Sequence, residues 1–307
     1  MKILVTGGAG FIGSHISEHL AQAGHDVSIL DNLSTGKTAN LATVADKIKF
    51  IEGDIRDYKL MKDVTKNIEL IFHEAAIASV AQSVDDPVET GAVNVGGSVS
   101  VLTAARDNGV RKVVFASSAA IYGDAPELPK REEMTPKPLS PYAFHKLAGE
   151  YYLKLFHDLF GLEVVALRYF NVFGPRQDPA SEYSGVISIF LDRFKNDLAY
   201  TIYGDGKQSR DFVYVKDVVR ANLAAAEIAF EGTPVINVAC NRANDLLVLV
   251  ANLQEISGSV RQPNFGSERT GDIKHSRADN RKLLELLKVC PEVDFKQGLQ
   301  LLWQSTS

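Results

Sequence analysis

The sequence predicts an α/β protein, a doubly wound parallel sheet with a smaller mixed α/β lobe after it, and three observations carry that prediction. Short apolar runs alternate with segments of helical periodicity through the first 170 residues. Strands spaced by helices pair in parallel and need helices on both faces. The first apolar run, Ile3-Leu4-Val5, leads at once into a glycine-spaced turn and a helical pattern. After Arg168 the alternation loosens around Gly174, Pro175, Pro179 and Gly185, which mark a long loop.

Each element follows from its residues. Strands are expected at 3–5, 26–30, 48–51, 70–72, 113–116 and 164–167, where β-branched and aromatic residues cluster. Ile12, Ile16, Leu20 and Ala23 recur at helical spacing and predict a helix over 11–23. Further helices are expected over 58–66, 88–108 and 142–160. In the second half the pattern gives a helix over 186–194, a turn at 204–206, a strand over 212–215, a helix over 218–229 and a strand over 235–239. Helices over 246–256, 281–287 and 296–303 close the chain. We divide it into a dinucleotide-binding domain, 1–171, and a lobe, 172–307. No linker separates them, and the segment near 212–240 is expected to return to the main sheet.

Composition narrows the function classes. The 307 residues carry a net charge of -5, with 45% hydrophobic and 23% charged residues, the profile of an ordinary globular protein. The mild acidity argues against a nucleic-acid partner, which calls for a basic face. No run approaches the ~20 apolar residues of a membrane span, and the N-terminal apolar run is too short for a signal peptide. A cytoplasmic protein is expected. Cys240 and Cys290 lack metal-ligand spacing and are expected to be reduced, buried thiols, with no metal site.

Thr6-Gly7-Gly8-Ala9-Gly10-Phe11-Ile12-Gly13 joins the first strand to the first helix. Gly7 permits the sharp turn, Gly10 lets backbone approach a pyrophosphate, and Gly13 lets helix and strand pack closely. The helix N-terminus offers free N–H groups and the positive end of its dipole. Strand, turn and helix in this order form the Rossmann dinucleotide pattern. Asp31 ends the second strand, 18 residues after Gly13, where an acid accepts hydrogen bonds from ribose hydroxyls and repels a 2′-phosphate. NAD is therefore the expected cofactor. Asp54 and Ile55 end the third strand and are expected to border the adenine.

A second cluster carries acid–base chemistry. Ser140-Pro141 is a helix start, and Tyr142 and Lys146, four residues apart, share one helical face. A neighbouring ammonium is expected to lower the tyrosine pKa, and a phenolate can take a hydroxyl proton as hydride leaves the same carbon. The strand at 113–116 delivers Ser117 and Ser118 to its carboxyl end.

Gly7-x-x-Gly10-x-x-Gly13, Ser117-Ser118-x-x-x-Tyr122-Gly123, Tyr142-x-x-x-Lys146 and Arg168-Tyr169-Phe170-Asn171 occur together in this order. The whole chain thereby resembles the extended short-chain dehydrogenase/reductase family, in particular its UDP-sugar 4-epimerases. The stretch from Leu167 to Pro179 points to the N-acetylhexosamine branch. The resemblance implies Tyr142 as base, Lys146 as anchor of the nicotinamide ribose and Ser118 as partner of the sugar 4-oxygen. It puts Asn94 and Phe170 on the nicotinamide side, and Phe11, Ile12, Asn32, Ser34, Thr35, Gly36, Ala75, Ala76 and Ser117 elsewhere along the cofactor. Asn171, Val186 and Tyr203 would touch the nucleotide sugar, Arg210 and Arg269 would clamp its diphosphate, and Asp272 would meet the uridine ribose. Ser276, seven residues after Arg269, occupies a gate beside the sugar 2-substituent, and its small size leaves room for an N-acetyl group.

Departures sharpen the expectation. Related 4,6-dehydratases carry an acid pair where this chain has Ala119 and Ala120, and decarboxylating relatives keep a glutamate at the second position. The remaining alternatives are another NAD-dependent nucleotide-sugar oxidoreductase and a dinucleotide-sensing regulator without turnover. The helical segments 88–108 and 142–160 resemble those of a family dimer interface, so a homodimer is expected.

Overall fold

The computed structural model of the chain describes residues 1–177, 185–268 and 274–305. Strands β1 (Lys2–Thr6), β2 (Asp26–Asp31), β3 (Ile48–Glu52), β4 (Leu70–His73), β5 (Lys112–Ser118) and β6 (Glu163–Tyr169) come first. The short strands β7 (Asn171–Phe173), β8 (Thr201–Tyr203), β9 (Ser209–Arg210) and β10 (Phe212–Tyr214) precede β11 (Val235–Val238), and β12 (Asn244–Asp245) and β13 (Asn264–Gly266) follow. The central sheet has seven parallel strands in the order β11-β6-β5-β4-β1-β2-β3. This is the doubly wound α/β fold, whose ligands gather at the carboxyl ends of the strands.

Helices α1 (Phe11–Gln22), α2 (Tyr58–Val64), α3 (Val80–Asp85), α4 (Pro87–Gly91), α5 (Ser98–Asp107) and α6 (Pro141–Phe160) belong to the first half. In the second half lie α7 (Val186–Lys195), α8 (Val215–Glu227), α9 (Leu246–Ser257), α10 (Arg281–Leu286) and α11 (Phe295–Ser305). The two sheet faces bury separate apolar clusters. Ile3 and Val5 join Ile16 and Leu20 of α1 and Val218 of α8 on one face. Leu4, between them, joins Met61, Leu102 and Leu153 from α2, α5 and α6 on the other. Strand side chains alternate in direction, so both faces must be apolar, and each fully buried Leu or Ile contributes about 1.5–3 kcal/mol. A third cluster, with Phe173, Phe190, Tyr200, Leu249 and Leu299, forms the core of the second half.

Two expectations are corrected. The single helix over 88–108 is instead α4, a wide π-helical turn at Ala92–Gly97, and α5. The extra residue in that turn coincides with bonds from the Asn94 side chain to the Ile77 backbone, 2.8 Å to N and 2.9 Å to O. The second concerns the thiols: Cys240 is half-buried and Cys290 exposed. Burial and the nearby Asp211 push the Cys240 thiol up to about 12. Among the described residues no helix is long and apolar enough to cross a membrane, and no group of His, Cys, Asp or Glu forms a metal site.

Candidate active site

The glycine turn crosses the carboxyl end of β1. Gly7 has φ +68°, and a Cβ there would lie 2.7 Å from the Ala75 amide nitrogen, so both conformation and space demand glycine. A Cβ on Gly13 would run into the Gly7 carbonyl oxygen, which explains the close approach of α1 to β1. At Gly10 the one near neighbour of a Cβ would be Gly7 O, at 3.2 Å, so that side is an open cradle which a side chain would fill. α1 begins beyond Gly10 with no side-chain cap, leaving its first N–H groups to a ligand.

Asp31 is buried at the end of β2. Its Oδ2 accepts the Ala9 N–H at 2.9 Å and its Oδ1 the Leu33 N–H at 2.8 Å. Each oxygen keeps a lone pair for a ribose hydroxyl, and a Cβ on Gly36 would lie 2.8 Å from Oδ1, so the loop through Ser34 and Thr35 hugs the carboxylate. The Ser34 N–H donates to Asn32 Oδ1 at 3.1 Å. Open cradle, uncapped helix and acid at the second strand together fit a dinucleotide.

The acid–base cluster assembles beside it. Ser140 caps α6, accepting the Ala143 N–H at 3.2 Å, and the Tyr142 N–H donates to Ser83 Oγ of α3 at 3.0 Å. Tyr142 is hydrogen-bonded to Ser118, whose Oγ also accepts the Ala120 N–H at 3.1 Å. Lys146 is buried, its Nζ donating to Ala116 O at 2.8 Å and lying 5.9 Å from the Tyr142 ring centroid. One expectation reverses here. Loss of water in the cleft pushes the Tyr142 phenol above its ordinary value, against the Ser118 hydrogen bond that lowers it, and Lys146 does not depress it. Burial instead brings the Lys146 ammonium down to about 8, with Glu74 pulling the other way.

Several residues expected along the cofactor point elsewhere. Ser117 donates to Glu150 Oε1 at 2.5 Å inside the protein, because neighbours on a strand face opposite ways. Ile55 is buried against Gly97 in the core. Phe170 is buried beside Tyr122, ring centroids 6.2 Å apart. The Asp54 carboxylate is turned to Arg56, at 2.8 Å, and Arg56 holds it down to about 2. Asn94 spends its amide on Ile77, and so holds the loop through Ala75 and Ala76 rather than presenting a free group.

On the other side of the cleft β9 carries Arg210, whose Nη1 donates to Ser209 O at 3.0 Å and Lys274 O at 3.4 Å. Ser276 lies next to it, its N–H donating to Ser209 O at 3.0 Å. Asn171 opens β7, Val186 opens α7, and Tyr203 ends β8 with 43% exposure. Arg269 and Asp272 lie outside the described residues.

With this geometry in view, known proteins settle the family. Residues 3–239 match the NAD dependent epimerase/dehydratase family. The chain belongs to that family. A UDP-glucose 4-epimerase of Mycolicibacterium smegmatis is 41% identical over 97% of this chain and 96% of its own. A crystal structure of a UDP-glucose 4-epimerase with UDP-glucose, from Thermotoga maritima, superposes with TM-score 0.96 at 40% identity, covering 100% of this chain and 98% of that one. A UDP-N-acetylglucosamine 4-epimerase from Methanobrevibacter ruminantium, in complex with UDP-N-acetylmuramic acid, gives TM-score 0.95 at 40% identity, over 99% and 97%. This family member is thus an NAD-dependent enzyme of the epimerase class.

In this NAD-dependent enzyme two polar networks at the strand ends escaped the sequence reading. Thr6 Oγ1, His73 Nδ1, His73 Nε2 and Ser98 Oγ link β1, β4 and α5 at 2.7 and 2.9 Å, and Ser98 donates on to Asn94 O at 2.6 Å. Burial, then Lys146, holds the His73 imidazole down to about 3, so it stays neutral. Glu74, the next residue, accepts the Tyr169 hydroxyl at 2.9 Å. Burial pushes its carboxyl up to about 7 against the Tyr169 hydrogen bond and Lys146. The available signal was the titratable pair His73-Glu74 directly after the buried run Leu70-Ile71-Phe72, at the ligand end of a parallel sheet.

Proposed function

We propose that the chain interconverts UDP-hexoses epimeric at C4, both UDP-GlcNAc/UDP-GalNAc and UDP-Glc/UDP-Gal, through a 4-keto sugar. The observation that carries this reading is Tyr142 hydrogen-bonded to Ser118 with Lys146 one turn on, beside alanines at 119 and 120. When bound, NAD supplies the acceptor for the C4 hydride and its donor on return. Tyr142 takes the 4-hydroxyl proton and later gives it back. Ser118 bonds the sugar 4-oxygen, and Lys146 anchors the nicotinamide ribose. Arg210 and Arg269, from the lobe 172–307, hold the diphosphate while the sugar turns, which keeps the intermediate from escaping. Elimination of water or loss of a carboxyl group lacks its acid and base at Ala119 and Ala120.

The test is separate incubation with UDP-glucose and UDP-N-acetylglucosamine, with products resolved by NMR. Each substrate should yield its C4 epimer. Tyr142→Phe should lose turnover by about 10²–10⁴-fold while retaining NAD; full activity in that variant sinks the mechanism. Ser276→Tyr should lose the N-acetylated substrate first.

A homodimer belongs to the same reading. Phe144, Tyr151, Leu155 and Leu159 stand out from α6 with 58%, 62%, 49% and 68% exposure, and Val84 and Val88 lie on the adjoining segment at 61% and 82%. Such an apolar stripe at helical spacing supports association of two copies through α6. Light scattering should give twice the 33.5 kDa chain mass; a monomer refutes it.

A further inference from the structure

Glu74 lies where the site must receive a dianion. Its N–H donates to Thr6 O at 3.1 Å, and its carbonyl carbon is 3.0 Å from where a Gly7 Cβ would stand, so it packs on the phosphate-binding turn. On β6, Tyr169 donates its hydroxyl proton to Glu74 Oε1 at 2.9 Å. The Asn222 amide of α8 donates to that hydroxyl at 2.8 Å and to Val218 O at 2.9 Å, and its Oδ1, 3.0 Å away, is a second acceptor beside Glu74 for the phenolic proton. Lys146 faces the carboxyl from α6, and His73 on β4 is neutral with its ring turned to Thr6 and Ser98. Glu74 forms no ion pair among the described residues.

A pyrophosphate held on the turn that the Glu74 backbone packs against repels a Glu74 carboxylate, and one proton removes the repulsion. We propose that Glu74 is a proton-binding site coupled to the cofactor: NAD binding draws a proton from solvent onto its carboxyl, and NAD release returns it. The proposal rests on the glycine turn being the NAD site. With burial holding the free carboxyl at about 7, it is about half ionised at neutrality, where the coupling is felt.

The experiment is titration calorimetry of the full chain, freed of nucleotide, with NAD in two buffers of different ionisation enthalpy. At about pH 7 the parent should take up about half a proton per NAD, and affinity should fall about fivefold by about pH 8. Glu74→Gln should bind with uptake near zero at neutrality. Lys146, held at about 8 with Glu74 pulling it upward, also takes up protons near pH 8, so parent and variant are compared at about pH 7. Tyr169→Phe removes a hydrogen bond that favours the ionised carboxyl and should move the uptake maximum to higher pH. Equal uptake at neutrality in the parent and Glu74→Gln, or an unmoved maximum in Tyr169→Phe, overturns the proposal. A parent chain that binds no NAD sinks the cofactor reading with it.

Discussion

Glu150 and Arg168 show how much a single pair supports. Arg168 Nε and Nη2 donate to the two carboxylate oxygens at 2.9 and 2.8 Å, and both residues are buried. Ser117 donates to the same carboxylate, and the guanidinium carbon lies 4.8 Å from the Tyr122 ring centroid. The pair therefore ties β5, α6 and β6 together one residue from Ser118. Glu150→Gln would leave the guanidinium buried without its counter-charge. Breaking such a pair costs about 3–5 kcal/mol, and urea denaturation should read a loss near the lower figure, since the amide oxygen still accepts one bond. Motif spacing was enough to predict that Tyr142, Lys146 and Ser118 meet, because they share a face or a strand end. It could not separate Ser117 from Ser118, nor Ile55 from Asp54, because adjacency in sequence says nothing about which neighbour turns inward.

At the scale of elements, α6 positions Tyr142 and Lys146 by lying close on β5. A Cβ on Gly149 would come 2.5 Å from Phe115 Cζ, so the helix rests on that ring, and Lys146, one turn earlier, lies 5.2 Å from the same ring's centroid. Gly149→Ala should push the helix outward. Overpacking of this kind costs about 1–3 kcal/mol, and turnover should fall because Lys146 moves with its helix; thermal melts and steady-state rates check both. The start of α6 was legible from Ser140-Pro141, and Gly161 caps its other end at φ +70°. The π-helical turn at Ala92–Gly97 was not, because one extra residue in a turn leaves composition and apolar content unchanged.

At the scale of the molecule, the apolar runs Ile3-Leu4-Val5 and Leu70-Ile71-Phe72 made the parallel sheet legible, since only strands covered on both faces read that way. Titratable groups buried at and beyond the ends of that sheet were not legible, because burial depends on what folds over them, and they set how stability responds to pH. His73 is held to about 3, so below its ordinary 6.5 the unfolded chain binds a proton the folded chain refuses, and stability falls as pH drops. Glu74 and Asp211 have the opposite sign. Burial raises them to about 7 and about 6, so between their ordinary values and these the folded chain keeps protons that the unfolded chain releases, and stability falls as pH rises. Between about pH 4.5 and 6 the two falling contributions outweigh the rising one from His73, so the melting temperature should fall modestly as pH rises. Above about pH 7 the cost of an ionised Glu74 is fully present, and below about pH 4.5 it is absent. Glu74→Gln should therefore raise the melting temperature at about pH 8 more than at about pH 4.5. Melts of the parent and variant at both values check this, and an equal difference at the two would show that Glu74 does not carry the buried charge at neutral pH.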